Sequence, residues 1–181
     1  MRLSSPILAL SAAVGLAGCA TAPATKAGPN DAARAVVHLA PTAGSPVTGT
    51  LQLVAQGQGV HISGQLSGLA PHTAHGFHFH EKGDCSAPDG SSAGGHFNPT
   101  SDPHGRAGAG PHHAGDMDNI VANDQGEATI DVQDDDVSLR PGAPNDVVGR
   151  AVIIHGSADD YTSQPSGNAG ARVACGVVQA Q

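Results

Sequence analysis

The chain has 181 residues, including 25 Gly and 13 Pro, and only 13% of its residues are charged. Its 16 acidic side chains outnumber its 8 Lys and Arg, and the formal net charge is −8 at pH 7. This balance argues against a general nucleic-acid-binding protein, which needs a basic face to neutralise phosphates. The length suits one domain, and the many turn residues favour β structure.

Residues 1–19 have the features of a bacterial lipoprotein signal peptide. Arg2 supplies positive charge at the start, and a short apolar run extends from Pro6 to Leu16. This run is too short to span a bilayer as a mature helix. It ends in LAGC (16–19), which matches a lipobox, so we predict that Cys19 is lipidated. A cleaved signal peptide with an incidental cysteine is the alternative.

Residues 20–33 are rich in Ala, Pro, Thr and Gly and show no periodicity. They predict a flexible tether between the lipid anchor and a domain at 34–181. Because Ala20 offers no obvious retention signal, we expect the anchored protein in the cell envelope, in the outer membrane and facing the periplasm.

The remaining cysteines are Cys85 and Cys175. In an exported chain two cysteines favour a disulfide, with two free thiols as the alternative. The bond would close a loop of about 90 residues, for which the chain-entropy relation gives about 4–5 kcal/mol of stabilisation.

Short segments with the length and alternation of β-strands follow the tether in order. Turn residues separate them, and Asn123–Gly126 has the character of a hairpin turn. No stretch has a sustained helical period. We therefore predict an all-β fold, an eight-stranded antiparallel Greek-key barrel or sandwich. The predicted strands are 33–40, 47–55, 59–69, 75–80, 115–123, 126–133, 150–155 and 172–178.

Two long segments, 81–114 and 156–171, are rich in Gly, Pro and polar residues and predict no regular structure. Long irregular loops in a compact domain are usually functional or disordered. The first loop is rich in histidine, which favours function. Both are therefore interpreted as functional loops.

The chain contains 11 His. His78 and His80 stand at i and i+2 of a predicted strand, so their imidazoles project from one face. His155 ends a distant apolar strand. Together with one loop histidine, these residues make a four-nitrogen set of the kind that suits Cu(II).

The first loop and the residues just after it supply His96, His104, His112, His113 and Asp116. Three imidazoles and one carboxylate suit tetrahedral zinc, and such a site would help to order a polar loop.

Several segments of the chain resemble the signature sequences of copper,zinc superoxide dismutases, in the order of that family. The resemblance extends over residues 34–178, and the chain is most similar to exported bacterial members. It implies dismutation of superoxide to dioxygen and hydrogen peroxide, with one copper and one zinc ion per subunit. The segments are HGFHFH (75–80), GGHFNP (94–99), HG (104–105), HHAGD (112–116), AVIIH (151–155) and GNAGARVACGVV (167–178).

The resemblance also implies a role for each site residue. His96 would bridge the two metals and act in catalysis, since its two ring nitrogens are distinct ligands. His113 is preferred to His112 because it stands three residues before Asp116. The implied copper ligands are His78, His80, His96 and His155, and the implied zinc ligands are His96, His104, His113 and Asp116.

Three further roles are implied. Asp159 matches the carboxylate that links a copper histidine to a zinc histidine. Arg172 matches the catalytic arginine that attracts superoxide, and Cys85 and Cys175 match the family's disulfide. The chain departs from the animal enzymes by an insertion at 86–94 and by the absence of Lys from 156–171.

The main alternative is a lipid-anchored envelope protein that binds copper or zinc without turnover. An inactive dismutase-like domain is disfavoured because no ligand is missing. A zinc hydrolase is disfavoured because no general base is paired with an open zinc position. The sequence is compatible with a homodimer but identifies no surface for one.

Overall fold

The computed structural model describes Met1 and residues 33–181. Apart from Met1, the predicted signal peptide lies outside the described residues, as do its predicted lipidation site Cys19 and nearly all of the predicted tether. Within the described part of the chain, no helix combines the length and hydropathy that a membrane crossing requires.

The domain consists of antiparallel β-strands joined by turns and two long loops. Among the described residues the only helical element is a 3₁₀ turn at Ser91–Ala93. The strands are β1 (Arg34–Pro41), β2 (Thr48–Gln56), β3 (Gly59–Ser67), β4 (Ala74–His75), β5 (Phe77–His80), β6 (Ile120–Val121), β7 (Ala128–Asp134), β8 (Ala151–His155) and β9 (Arg172–Ala180).

The larger sheet has the strand order β5-β8-β9-β1-β2-β3-β7, and β4 pairs with β6 in a smaller sheet. Only Gly76 separates β4 from β5, and a turn at Asn123–Gly126 joins β6 to β7. The smaller sheet therefore lies between the two outer strands of the larger one. The architecture is the predicted all-β Greek-key barrel, with β4 and β5 together taking the place of one strand.

Six predicted strands match observed ones to within two residues at each end, and the other two differ more. The strand predicted at 75–80 is interrupted at Gly76, whose N–H donates to the Ser157 carbonyl and whose carbonyl accepts from His155 N–H. The strand predicted at 115–123 is reduced to Ile120–Val121. Its first residues instead bond to the long loop, as Gly115 N–H donates to the Phe97 carbonyl.

The alternation of β5 divides its side chains between two environments. Phe77 and Phe79 are fully buried in the barrel core beside aliphatic residues such as Leu51 and Ile62. The intervening His78 and His80 are equally buried but point to the opposite face, beneath the loops. The core therefore fixes the strand that carries two of the candidate ligands.

A disulfide fastens the first loop to the barrel. Cys85 and Cys175 are bonded, with their Cα atoms 5.8 Å apart and a sequence separation of 90. They pack with Ala93 and Ile153 in a small apolar cluster beneath the loop. Since β9 lies inside the larger sheet, the bond ties the loop to one of its interior strands.

Asp134, at the end of β7, is a buried carboxyl with an incomplete set of partners. The residue is 8% exposed. Its Oδ1 accepts a hydrogen bond of 2.9 Å from Asp136 N–H, whereas Oδ2 has no partner. Burial raises its pKa to about 7, and the carboxylates of Asp136 and Asp135 act in the same direction.

We expect Asp134→Asn to stabilise the protein in a pH-dependent way. Below the ordinary pKa of 3.8 both folded and unfolded states are protonated. As the pH rises towards 7, only the unfolded state ionises, and folding loses up to about 4 kcal/mol. Urea unfolding should show little change near pH 4 and a gain of as much as about 4 kcal/mol near pH 8.

The control is Asp124→Asn, in the exposed hairpin turn, which should change the free energy of unfolding little at either pH. An equal effect of Asp134→Asn at both pH values would contradict the interpretation, because a pH-independent gain would not arise from ionisation.

Candidate metal centre

Backbone hydrogen bonds place the first loop beside β5. Phe79 N–H donates to the Gly115 carbonyl, and Phe97 N–H donates to the Phe79 carbonyl. These bonds bring His80 opposite His96 and His78 opposite Asp116 as isolated bridges. Residues of an irregular loop are thereby held next to a strand with the geometry of a β ladder.

His155 reaches the same place from β8. The register between β8 and β9 shifts between Ile154 and His155, and such irregularities re-aim a side chain. His155 N–H donates to the Gly76 carbonyl, and the His155 carbonyl lies 2.8 Å from His75 Nδ1. The side chain of His75 therefore helps to hold the backbone of His155 in position.

The first group of candidate ligands consists of His78, His80, His96 and His155. All four are buried, and their candidate donor atoms lie within 4.8 Å of one another. His78 Nδ1 and the Nε2 atoms of His80, His96 and His155 are buried without any hydrogen-bond partner. Unpartnered buried nitrogens are costly, and four that converge form a donor set suited to Cu(II).

The other ring nitrogens of this group are fixed by protein oxygens. His78 Nε2 donates to Asp159 Oδ2 at 2.8 Å, and His80 Nδ1 donates to the Gly94 carbonyl at 3.0 Å. His155 Nδ1 lies 3.4 Å from the Gly170 carbonyl. These partners set the tautomer and ring orientation and leave the opposite nitrogen free to bind a metal.

Burial favours the neutral form of three of these imidazoles, those of His80, His96 and His155. It lowers the pKa of His155 to about 3, with a further contribution from His78. It lowers the pKa of His96 to about 4, against the opposing hydrogen bond to Asp116. The pKa of His80 is also well below its ordinary value because of burial and its neighbour His96. Neutral imidazole is the form that binds metal ions.

The second group consists of His96, His104, His113 and Asp116, all buried and with donor atoms within 4.8 Å of one another. Asp116 Oδ1 lies 2.7 Å from His96 Nδ1 and 3.2 Å from His113 Nδ1. Burial raises the pKa of Asp116, but hydrogen bonds from His113 and His96 outweigh it and hold the pKa far below 3.8. The set of three imidazoles and one carboxylate fits zinc.

His96 belongs to both groups through different atoms. Its Nδ1 faces Asp116, whereas its Nε2 is one of the unpartnered nitrogens of the first group. Its ring centroid lies 4.1 Å from that of His78 and 5.4 Å from that of His113. One imidazole can therefore face two metal ions. The structure brings together all the residues that the family resemblance implied as ligands.

Asp159 connects the two groups. Its side chain is fully buried, and its Oδ2 and Oδ1 accept from His78 Nε2 at 2.8 Å and His104 Nε2 at 3.0 Å. Burial raises the pKa of Asp159, but hydrogen bonds from His78, Tyr161 N–H and His104 outweigh it and lower the pKa below 3.8. The carboxylate thus orients one histidine of each group.

Arg172 is half-buried and contacts the first loop beside the first group of histidines, which we call the copper-type group. Its Nη1 and Nη2 donate to the carbonyls of Gly90 at 2.7 Å and Gly94 at 2.6 Å. The Gly94 carbonyl also accepts from His80. This shared carbonyl places the cation beside His80, and its positive charge contributes to the lowered pKa of both His80 and His155.

His112 stands outside both groups. Its Nε2 lies 3.0 Å from Asp136 Oδ2, and its Nδ1 lies 2.6 Å from the Gly110 carbonyl. The structure therefore places His113 among the candidate ligands and its neighbour His112 outside them.

Sequence reasoning did not identify two amide side chains that hold the site. Asn119 pairs with Asp159: its Nδ2 donates to the Asp159 carbonyl and its Oδ1 accepts from Asp159 N–H, both at 2.8 Å. Gln164 pairs in the same way with His104. These pairs are separated by 40 and 60 residues, so no local sequence pattern could have indicated them.

The fold and the site define a class of protein: a Greek-key barrel with two adjoining metal-binding groups that share one histidine. A family model described as copper/zinc superoxide dismutase (SODC) matches residues 47–178. The chain belongs to the copper/zinc superoxide dismutase family, and it is an oxidoreductase that acts on superoxide.

Curated relatives and a solved structure agree with this family. Superoxide dismutase [Cu-Zn] 1 of Aquifex aeolicus (strain VF5) is 44% identical over 134 residues, which are 72% of this chain and 79% of the relative. Superoxide dismutase-like protein YojM of Bacillus subtilis (strain 168) is 42% identical over 68% of this chain and 63% of its own length. A crystal structure of a double mutant of a SOD-like protein from Bacillus subtilis has 38% identity and a TM-score of 0.73, covering 80% of this chain and 96% of that chain.

We expect Asp159→Asn to weaken metal binding, because one amide cannot accept from both His78 and His104. Loss of such an orienting partner typically costs about 10–100-fold in metal affinity. Competition with a chromophoric chelator would measure the zinc dissociation constant.

Asp160→Asn is the matched control. Asp160 lies in the same loop but bonds to Thr162 and Ser163 and to no histidine. An equal loss of zinc affinity in both variants would show that loop structure, rather than histidine orientation, is responsible.

Proposed function

We propose that the first group holds copper and the second group holds zinc, one ion of each per subunit, with His96 as the shared ligand. The observation that carries this proposal is the convergence of four buried imidazole nitrogens that have no protein partner. Asp116 and three imidazoles form the adjoining set that suits zinc.

Bound copper would supply the one-electron redox chemistry that converts two superoxide anions and two protons to dioxygen and hydrogen peroxide. The protein's own contribution is to attract the anion, to fix the ligands and to manage a proton. His96 Nε2 is the atom best placed to carry that proton, because it lacks a protein partner while Nδ1 is held by the second group.

Arg172 is the proposed anion-attracting residue. Two of its N–H groups are committed to the carbonyls of Gly90 and Gly94, which immobilise the side chain. A guanidinium has five N–H donors, so donors remain for an anion. The loop 156–171 contains no Lys. Attraction of superoxide would therefore depend on Arg172, the metals and basic residues elsewhere, such as Lys82 or Arg106.

Superoxide consumption should be measured for the metal-free, zinc-only and copper-plus-zinc protein. We expect fast turnover only in the presence of copper. Stoichiometric binding of both ions without turnover would contradict the enzyme and favour the alternative, a copper- and zinc-binding envelope protein.

The same assay with His96→Ala tests the shared ligand. The variant should lose metal from both groups, as measured by elemental analysis, and lose activity. His112→Ala is the matched control, since His112 is in neither group and contacts Asp136. Full copper occupancy and activity in His96→Ala would mean that His96 does not bridge the metals.

We further propose that the protein is exported and anchored through a lipid on Cys19, facing the periplasm from the outer membrane. The LAGC sequence at 16–19 supports a lipid anchor, and the Cys85–Cys175 bond is compatible with an oxidising compartment.

We expect Cys19→Ala, which removes the lipid acceptor, to move the protein from the membrane fraction to the soluble fraction. Fractionation followed by immunodetection would measure this. Ala20→Ser serves as a neighbouring control that keeps the acceptor. Wild-type protein found only in the soluble fraction would contradict the anchor.

A further inference from the structure

The backbone around His104 has no regular structure to support it. His104 lies in a segment of the first loop without strand or helix, and the residue is buried. Buried backbone N–H and C=O groups need partners. For His104 both partners come from one side chain: Gln164 Oε1 accepts from His104 N–H at 2.8 Å, and Gln164 Nε2 donates to the His104 carbonyl at 2.9 Å.

The other members of the second group are held differently. His96 and Asp116 form bridges with residues of β5. His113 is tied to Asp116 in both directions, through Asp116 N–H to the His113 carbonyl and through His113 N–H to Asp116 Oδ2. Three of the four donors are therefore fixed to the barrel or to each other.

His104 depends mainly on the second loop. Its Nε2 bonds to Asp159 Oδ1 at 3.0 Å, and its backbone bonds to Gln164. Its Nδ1 lies 3.0 Å from Asp116 Oδ2 but is out of line for a hydrogen bond and has no partner. The next residue, Gly105, adds one bond from its N–H to Asp116 Oδ2. The ring and backbone of His104 are thus both fixed by residues of 156–171.

We propose that Gln164 is a positioning residue that holds His104 in place as a zinc ligand. Its amide supplies one donor and one acceptor to the His104 backbone, so that Nδ1 faces the other three donors. The proposal rests on the proposed assignment of zinc to the second group. Gln164 bonds to His104 and the Thr162 carbonyl and to no member of the copper-type group, so its effect should be specific to zinc.

The test compares the wild-type protein, loaded with both metals, with Gln164→Met. Methionine has a similar length but neither hydrogen-bonding group. The measurements are the zinc dissociation constant and the rate of zinc release to a chromophoric chelator. The visible spectrum of cobalt bound in place of zinc reports the ligand geometry. We expect zinc affinity to fall about tenfold or more, and the cobalt spectrum to change, with copper affinity the same within about twofold.

Gln133→Met is the matched control. Gln133 also donates from its amide to a backbone carbonyl, that of Gln56, but it lies on β7. It should leave zinc release and the cobalt spectrum unchanged. Unchanged zinc affinity in Gln164→Met would overturn the proposal.

Thermal unfolding distinguishes a positioning role of Gln164 from a general contribution to stability. Under the proposal, Gln164→Met reduces the increase in Tm that zinc produces and leaves the Tm of the metal-free protein nearly unchanged. Failure to fold, or an equal loss of copper and zinc affinity, would overturn it in favour of a structural role. If His113→Ala leaves the zinc affinity unchanged, the assignment of zinc to this group fails instead.

Discussion

Each histidine of the copper-type group has one nitrogen fixed by the protein and one left buried without a partner. Leaving a buried polar atom unpaired is costly, and four such atoms in one place would destabilise the fold without an ion among them. The other ring nitrogen of each histidine is held by a carboxylate or a carbonyl. This bond prevents the ring from rotating to give its buried nitrogen a nearby protein partner. The hydrogen-bond arrangement therefore leaves four buried nitrogens close together that could bind a metal ion.

The barrel serves as a rigid support for loops that have little regular structure of their own. β5 is fixed from below by Phe77 and Phe79, and the first loop bonds along it like a further strand. The disulfide at Cys85 holds the other part of that loop. Because zinc-type ligands come from this loop, metal binding and loop order are expected to be linked.

The second loop orients histidines of both groups, a role that its Gly-rich, polar composition does not indicate. Asp159 connects the two groups through His78 and His104, and it is held in turn by the amide of Asn119. The loop thus orients ligands on both sides of the centre. Under the proposed mechanism, the positive charge of Arg172 would attract superoxide to a chain whose formal net charge is −8. The local field near the site, rather than the overall charge, would then guide the anion.

The sequence by itself determined most of the strands, the disulfide cysteines and the residues that the structure brings together as candidate ligands. Alternation along a strand places His78 and His80 on one face, and that information is local. Only the tertiary structure decided the break at Gly76, the shortness of β6 and the amide pairs of Asn119 and Gln164. Those features depend on backbone groups that lie far apart in sequence, and an amide that binds backbone leaves no periodic or spacing pattern along the chain.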